Sequence, residues 1–486
     1  MTSKQTYIIL FICSIFYVLL LSSSTSPLYL PVSLAKLNDI IGNDAAMFEI
    51  IGAAWTKHII PCINIFDHKG PLIFAAYALG WLITGNRAGI YLLQVIGLFA
   101  SMIYCYKILL LSIPERKSLR LTMLVFLCME IMYESGGNID ELMMPLLFAS
   151  AYYAYQWLRM YDNNGNTSVR KYAPIVFGLT LGASLMTRVT CAVSVCTIAV
   201  CIAIILIKEK DTKTLLKCVT LFILSAVAVI MPFIIYFYKN NGLSEMWYCL
   251  WTHNVLYAEN PEKAPLTIWH FFVFCPAWLL AITTATAFIK KKNTTYVSLM
   301  ITSVVTALFF LTGNGYRHYG MLALPCLALS LGIIFTHKTN ISKNIKIFLT
   351  ICIAIDALGS TAHLSWHLYN LTLTAKRQPT TEEKNIIKML KPIRENDKAT
   401  FVAVNCNPNI YYQANKLPAW KYFVLQTNMS SFDPKLRHDM ISTLYKCNAT
   451  YIAFNTQQND TELLNIIKNR YRMTKQEGNI QLYKLK

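Results

Sequence analysis

Apolar runs of about 17 or more residues recur along this chain, from the N-terminal "YIILFICSIFYVLLL" to "KIFLTICIAIDALGS" near residue 350. Each is long enough to cross the hydrocarbon of a bilayer as a helix. Within lipid a lone segment satisfies its own backbone only as a helix. This feature restricts the chain to a bundle of membrane helices, and composition agrees. The 486 residues are 55% hydrophobic and 14% charged, with mean hydropathy +0.42, against about 25% charged for soluble domains. The formal charge of +19 would suggest a nucleic-acid partner in a soluble chain. In a polytopic one, excess Lys and Arg instead mark the cytoplasmic loops.

Eleven spanning segments are predicted, at roughly 6–24, 88–111, 119–133, 141–158, 173–189, 190–207, 218–238, 269–289, 294–311, 320–336 and 346–362. The first follows a single Lys4 and precedes no clear small-residue cleavage site, so it reads as an uncleaved helix rather than a signal peptide. Pro71–Thr84 is short for a span and reads as an interfacial or re-entrant helix. With Lys4 inside and 71–84 not crossing, the basic loops "SIPERKSLR", "RMYDNNGNTSVRK", "KEKDTKTLLK", "KKKN" and "HKTNISKNIK" share the cytoplasmic side. Residues 22–87 then form one long outer loop with interfacial helices. The N-terminus is cytoplasmic, and everything after the eleventh span is outside.

The tail from 365 to 486 is polar. Strand-like runs at 399–404, 421–425, 450–454 and 480–485 alternate with helical patterns at about 381–391, 434–446 and 460–470. This predicts a small α/β domain after a membrane domain covering 1–364. It carries no Gly-rich phosphate loop, so a structural or substrate-guiding role is expected for it. The fourteen cysteines form no CxxC pair and lie mostly inside apolar runs, where they behave as small apolar residues. Cys406 and Cys447 are a possible disulfide if the tail faces an oxidising space.

This topology gathers ionisable residues at the outer face: Asp44, Glu49, Asp67, His68 and Lys69; Glu134, Asn138, Asp140 and Glu141; Arg188; His253, Asn254 and Tyr257; Arg317, His318 and Tyr319. Charges near hydrocarbon depth serve a site or pair with one another. A carboxylate beside apolar helices suits a general base. Lys69, Arg188 and Arg317 suit an anion such as phosphate, and Tyr suits sugar rings at a wet interface. The mixture points to a lipid-linked phosphate as ligand. Each residue also has a plainer role open to it: Asp44 as a helix cap, Lys69 snorkelling to the interface, Arg188 paired with Asp140 or Glu141, Glu141 as a dipole-favoured first-turn acid, and Asp67 and His68 as loop formers.

The stretch "NDAAMFEIIGAAWTKHIIPCINIFDHKGPLIF" resembles the first outer loop of the GT-C membrane glycosyltransferases. It is most similar to the branch holding the protein O-mannosyltransferases and the lipid A aminoarabinose transferase, with Asp44, Gly52, Pro61, Asp67, His68, Lys69, Gly70 and Pro71 at the matching positions. "GGNIDEL" (136–142), Arg188 at a helix end and "YRHYGMLALP" (316–325) follow in the same order. The resemblance implies an inverting transfer of a sugar from a polyprenyl-phosphate or polyprenyl-diphosphate carrier to an acceptor hydroxyl of a protein, glycan or lipid, at the periplasmic face of a bacterial inner membrane. In that role Asp44 is the general base and Lys69 holds the departing phosphate. Arg317, His318 and Arg188 neutralise its charge, and Tyr319, Asp67, His68 and Glu141 complete the substrate site.

No DxD-like pair follows Asp44, whose next residues are Ala45, Ala46, Met47 and Phe48. No cofactor is therefore assigned, and a divalent metal has no supporting motif. Two other functions stay open. A transporter or flippase is one, although such proteins usually carry internal repeats and midplane charges, neither of which is visible here. A non-catalytic protein of envelope polysaccharide assembly is the other.

Overall fold

The computed structural model describes residues 3–21, 44–86, 88–133, 136–259, 272–311, 316–336, 341–375 and 380–486. Glu134, singled out above, lies outside them. The protein is an α-helical polytopic membrane protein with a small C-terminal α/β domain. The membrane part comprises α1 (Ser3–Leu21), α2 (Asp44–Trp55), α3 (Pro71–Thr84), α4 (Ala88–Leu110), α5 (Glu115–Cys128), α6 (Ile139–Asn164), α7 (Tyr172–Leu185), α8 (Val193–Lys208) and α9 (Thr212–Lys239). After these come the short α10 (Leu243–Trp247) and α11 (His253–Glu259), then α12 (Cys275–Lys290), α13 (Thr294–Leu311), α14 (Leu324–Ile334) and α15 (Lys343–Ala375).

Among the described residues, each segment predicted to span is helical over most of its length. Among the described residues six helices are long and apolar enough to cross a membrane by length and composition, while Pro71–Thr84, Tyr172–Leu185, Cys275–Lys290 and Thr294–Phe310 are shorter apolar helices. The bundle wears its apolar side chains outward: on α9, Leu216 is 70% and Leu224 59% exposed. Such a face suits lipid, not water. Within the bundle, small residues let backbones approach. A Cβ added at Gly178 of α7 would stand 2.1 Å from the Phe222 carbonyl of α9, and one at Gly89 would stand 1.9 Å from the Gly80 carbonyl of α3. Close helix contact of this kind is how membrane helices gain packing without a hydrophobic driving force between them.

Helix α15 continues past residue 364 to Ala375. Beyond it, α16 (Thr381–Arg394), α17 (Asn409–Ala414), α18 (Gln426–Ser430), α19 (Pro434–Lys446) and α20 (Thr461–Arg470) surround a four-stranded sheet. Its strands are β1 (Phe401–Val404), β2 (Tyr451–Asn455), β3 (Tyr471–Glu477) and β4 (Ile480–Leu485), in the order β1-β2-β4-β3. β1 and β2 are parallel; β4 runs antiparallel to both β2 and β3.

Two expectations change here. Residues 421–425 form no strand. Their carbonyls are taken from outside any ladder, Lys421 O by the Phe66 N–H (2.8 Å) and Tyr422 O by the Gln426 side chain (2.9 Å). The edge strand β3 was not anticipated, because its "YRMTKQE" is exposed over most of its length and shows no apolar alternation. Cys406 and Cys447 are buried free thiols, with the Cys406 Sγ turned to the Val404 carbonyl (3.3 Å).

Candidate active site at the helix ends

The "DHKGP" element has a mechanical reading. Asp67 Oδ1 accepts from the Lys69 N–H (2.9 Å), a side-chain turn typical of Asp. Gly70 donates to Thr187 O (3.0 Å) and Leu72 to Met186 O (2.9 Å). A Cβ at position 70 would stand 2.1 Å from Met186 O, so only glycine admits this contact. Pro71 then opens α3, where its missing N–H costs nothing. The sequence at 67–71 thus stitches its loop to the C-terminal end of α7 and brings Lys69 beside Arg188. Gly52 does similar work for α2, since a Cβ there would meet the Tyr77 Cβ of α3 at 2.6 Å.

Around this stitch the site assembles. Asp44, half-buried in the first turn of α2, lies within electrostatic reach of Asp67, Tyr316 and Tyr319. Lys69 Nζ donates to His68 Nε2 (2.6 Å), which leaves the hydrogen of the neutral ring on Nδ1. The Arg188 guanidinium bonds the Asp140 carboxylate and lies 4.0 Å over the Tyr319 ring. His318 Nε2 stands 3.8 Å from Asp140 Oδ2. Tyr316 stacks on His318 and its hydroxyl meets that of Tyr257 (3.1 Å). The rings of Tyr257 and His253 lie 5.7 and 5.8 Å from that of His68. Five separate stretches of chain therefore converge, and among the predicted residues Asp44, Asp67, His68, Lys69, Arg188, His318 and Tyr319 come together.

Burial tunes the loop. The Asp67 carboxyl, 4% exposed, is pushed up to about 6 by desolvation, against the pull of Lys69 and with the Asp44 charge adding to the rise. His68 is held well below the usual imidazole range by burial, then by Lys69, His253 and Arg188. Neutral histidines beside Lys69 leave that ammonium facing no carboxylate in direct contact among the described residues.

Two predicted residues sit elsewhere. Arg317 turns away from His318, since neighbours on a 3-10 turn point about 120° apart. Its guanidinium donates to Ile131 O (2.9 and 3.1 Å) and meets His363 Nε2 (2.9 Å). His363 in turn stands 3.4 Å from Glu130. Glu141 completes a capping box with Asn138 and accepts from Gln94 Nε2 (2.8 Å). It lines an apolar cavity of about 290 Å³ with Ile73, Tyr77, Gln94 and Tyr133.

Three residues of the cluster carried little sequence signal. Asp140 was visible only as a partner for Arg188. His253 and Tyr257 were two polar residues among many in a long loop. A fourth, Asp433, showed none: it bonds His253 Nδ1 (2.8 Å) and the Tyr248 hydroxyl from the C-terminal domain. Among the described residues no group of three or more His, Cys, Asp or Glu is placed to hold a metal ion.

No protein-family model matches the chain, and no curated protein matches it. The structure is similar to that of ArnT from Cupriavidus metallidurans bound to undecaprenyl phosphate. The TM-score is 0.60 at 10% identity, covering 99% of this chain and 98% of that one. The apo state of the same protein gives a TM-score of 0.59 at 11% identity, with the same coverage. The archaeal oligosaccharyltransferase AglB from Archaeoglobus fulgidus matches with a TM-score of 0.47 at 12% identity, over 99% of this chain and 74% of that one. The fold of this chain is thus shared with ArnT over nearly the whole length of both chains, from α1 through the C-terminal domain.

Proposed function

We propose that this protein is an inverting membrane glycosyltransferase. It takes a sugar from a polyprenyl-phosphate carrier and passes it to an acceptor hydroxyl at the outer, periplasmic face of the membrane. The observation that carries this reading is the convergence of Asp44, Lys69, Arg188 and Tyr319 on one cluster at the helix ends, within a fold shared end to end with a protein crystallised with undecaprenyl phosphate.

The chemistry follows from the charges. Asp44 accepts the proton of the acceptor hydroxyl, and that oxygen attacks the anomeric carbon. The bond from this carbon to the phosphate oxygen breaks, and its electron pair goes to the phosphate. A cation is worth most when that negative charge develops. Lys69 fits the task, because it contacts a neutral imidazole. The Arg188 charge is already matched by Asp140, so Arg188 shapes the field and packs Tyr319. Asp67 is occupied by the Lys69 backbone, which leaves Asp44 as the base. The C-terminal domain lies on the same outer side, against the Lys69 loop.

The test is transfer of sugar from a polyprenyl-phosphate donor by the purified protein in lipid nanodiscs. Wild-type protein is expected to transfer, and Asp44→Asn to lose about 10²–10⁴-fold while still binding polyprenyl monophosphate. An Asp44→Asn protein that transfers at the wild-type rate rules out this base.

A further inference from the structure

The C-terminal domain touches the candidate site through one buried column. Asp433, which caps α19 by accepting from the Leu436 N–H (3.0 Å), also accepts from His253 Nδ1 (2.8 Å) and from the Tyr248 hydroxyl. The His253 side chain is 0% exposed and its Nε2 has no hydrogen-bond partner among the described residues. Its ring packs against those of His68 (5.8 Å), Phe66 (5.3 Å) and Phe432 (5.1 Å). His68 then accepts from Lys69 Nζ (2.6 Å). The neighbouring residue Asn254 pins the His68 carbonyl (2.7 Å), and the Phe66 N–H is held by Lys421 O of the domain (2.8 Å).

We propose that Asp433 and His253 are positioning residues for Lys69: the C-terminal domain, through the column Asp433–His253–His68, fixes where the phosphate-binding ammonium stands. This rests on the glycosyltransferase reading above. A carboxylate only accepts, so Asp433 fixes the hydrogen of His253 on Nδ1. That fixes the ring plane and leaves Nε2 unprotonated, so the ring adds no positive charge near Lys69. The charged and titratable groups facing His253 are Asp433 and Tyr248 on one side and His68 and Lys69 on the other. Burial and Lys69 hold His253 below its usual range against the pull of Asp433. Burial acts to raise the Asp433 carboxyl, but its bonds to Tyr248, Leu436 and His253 outweigh this and hold it low. The domain is therefore part of the donor site, and a displacement of Lys69 of about 1 Å is enough to cost about 10²-fold.

The test measures polyprenyl monophosphate affinity, and donor and acceptor KM, of the full-length protein in nanodiscs. The variants are Asp433→Asn, His253→Gln and their combination. Asparagine caps a helix as well as aspartate does, so Asp433→Asn retains α19. Asp439→Asn is the control: that carboxylate bonds Tyr422 on the same domain and does not contact the column. Expected are a 10–100-fold weaker affinity and a raised donor KM in both single variants, an unchanged acceptor KM, and a double variant no worse than either single one. Asp439→Asn should match wild type. Wild-type affinity in Asp433→Asn and His253→Gln, or equal losses in the control, overturns the inference alone. A wild-type protein that binds no polyprenyl monophosphate overturns the functional reading and the inference with it.

Discussion

Arg188 and Arg317 stand at comparable places, each at the junction of a loop and a membrane helix, yet they sit in different chemistry. Arg188 is salt-bridged to a fully buried Asp140 and stacked on Tyr319, next to the Lys69 loop. Arg317 caps the carbonyl of Ile131 at the end of a 3-10 turn and meets His363, beside Glu130 and Tyr17. The first cluster opposes cations, acids and aromatics across a loop stitch. The second closes unsatisfied backbone at a helix end. The difference teaches that an arginine near hydrocarbon depth has to find partners, and that only its direction decides whether those partners make a site.

The sharpest way to break the comparison is at the base. Asp44→Asn should lower the transfer rate by about 10²–10⁴-fold, with the melting temperature in detergent unchanged. Arg188→Met comes next. It strands a buried carboxylate, at a cost of about 3–5 kcal/mol, so a large fall in thermal stability is expected together with weaker donor binding. Lys69→Gln should weaken polyprenyl monophosphate binding by the value of a charged hydrogen bond, about 1.5–3 kcal/mol, with little change in stability. Arg317→Met should show the reverse: a stability loss of about 1–3 kcal/mol from the orphaned Ile131 carbonyl, and an unchanged donor KM in the protein that remains folded. A raised donor KM in that variant would merge the two clusters into one site.

The smallest expected effect is a slope. The folded Asp67 carboxyl lies at about 6, above the ordinary 3.8, so the native state holds this proton more tightly than the unfolded chain does. Its contribution to stability is present below about pH 3.8 and is lost as pH rises through 6. Asp67→Asn keeps an oxygen for the Lys69 N–H and removes the titration. Melting temperature across pH 4–6 should therefore fall less steeply in Asp67→Asn than in wild type.

Much of this was legible before any coordinates. The "DHKGP" stretch was legible through its resemblance to a known first outer loop, while the backbone demands that its Asp, Gly and Pro answer came only with the structure. The C-terminal alternation of strand and helix was readable at 399–404, 450–454 and 480–485. The strand β3 was not, since an exposed edge strand needs no apolar face. Its one signal was the Gly478–Asn479 turn, with Gly478 at φ 53°, joining two runs of strand length. The run 421–425 misled for the opposite reason. It is apolar because Phe423 and Val424 are buried in the core and Tyr422 packs against Phe66 of the membrane part, and the Lys421 and Tyr422 carbonyls go to the Phe66 N–H and the Gln426 side chain instead of a ladder.

Hydrophobicity read in windows determined, without coordinates, which segments are apolar helices, because transfer into a bilayer is a sum over near neighbours in the chain. Only the tertiary structure decided which acid meets which cation. Asp140 rather than Glu141 faces Arg188 because adjacent helical residues diverge by about 100°. Asp433 reaches His253 across 180 residues of sequence, a pairing that no local pattern records.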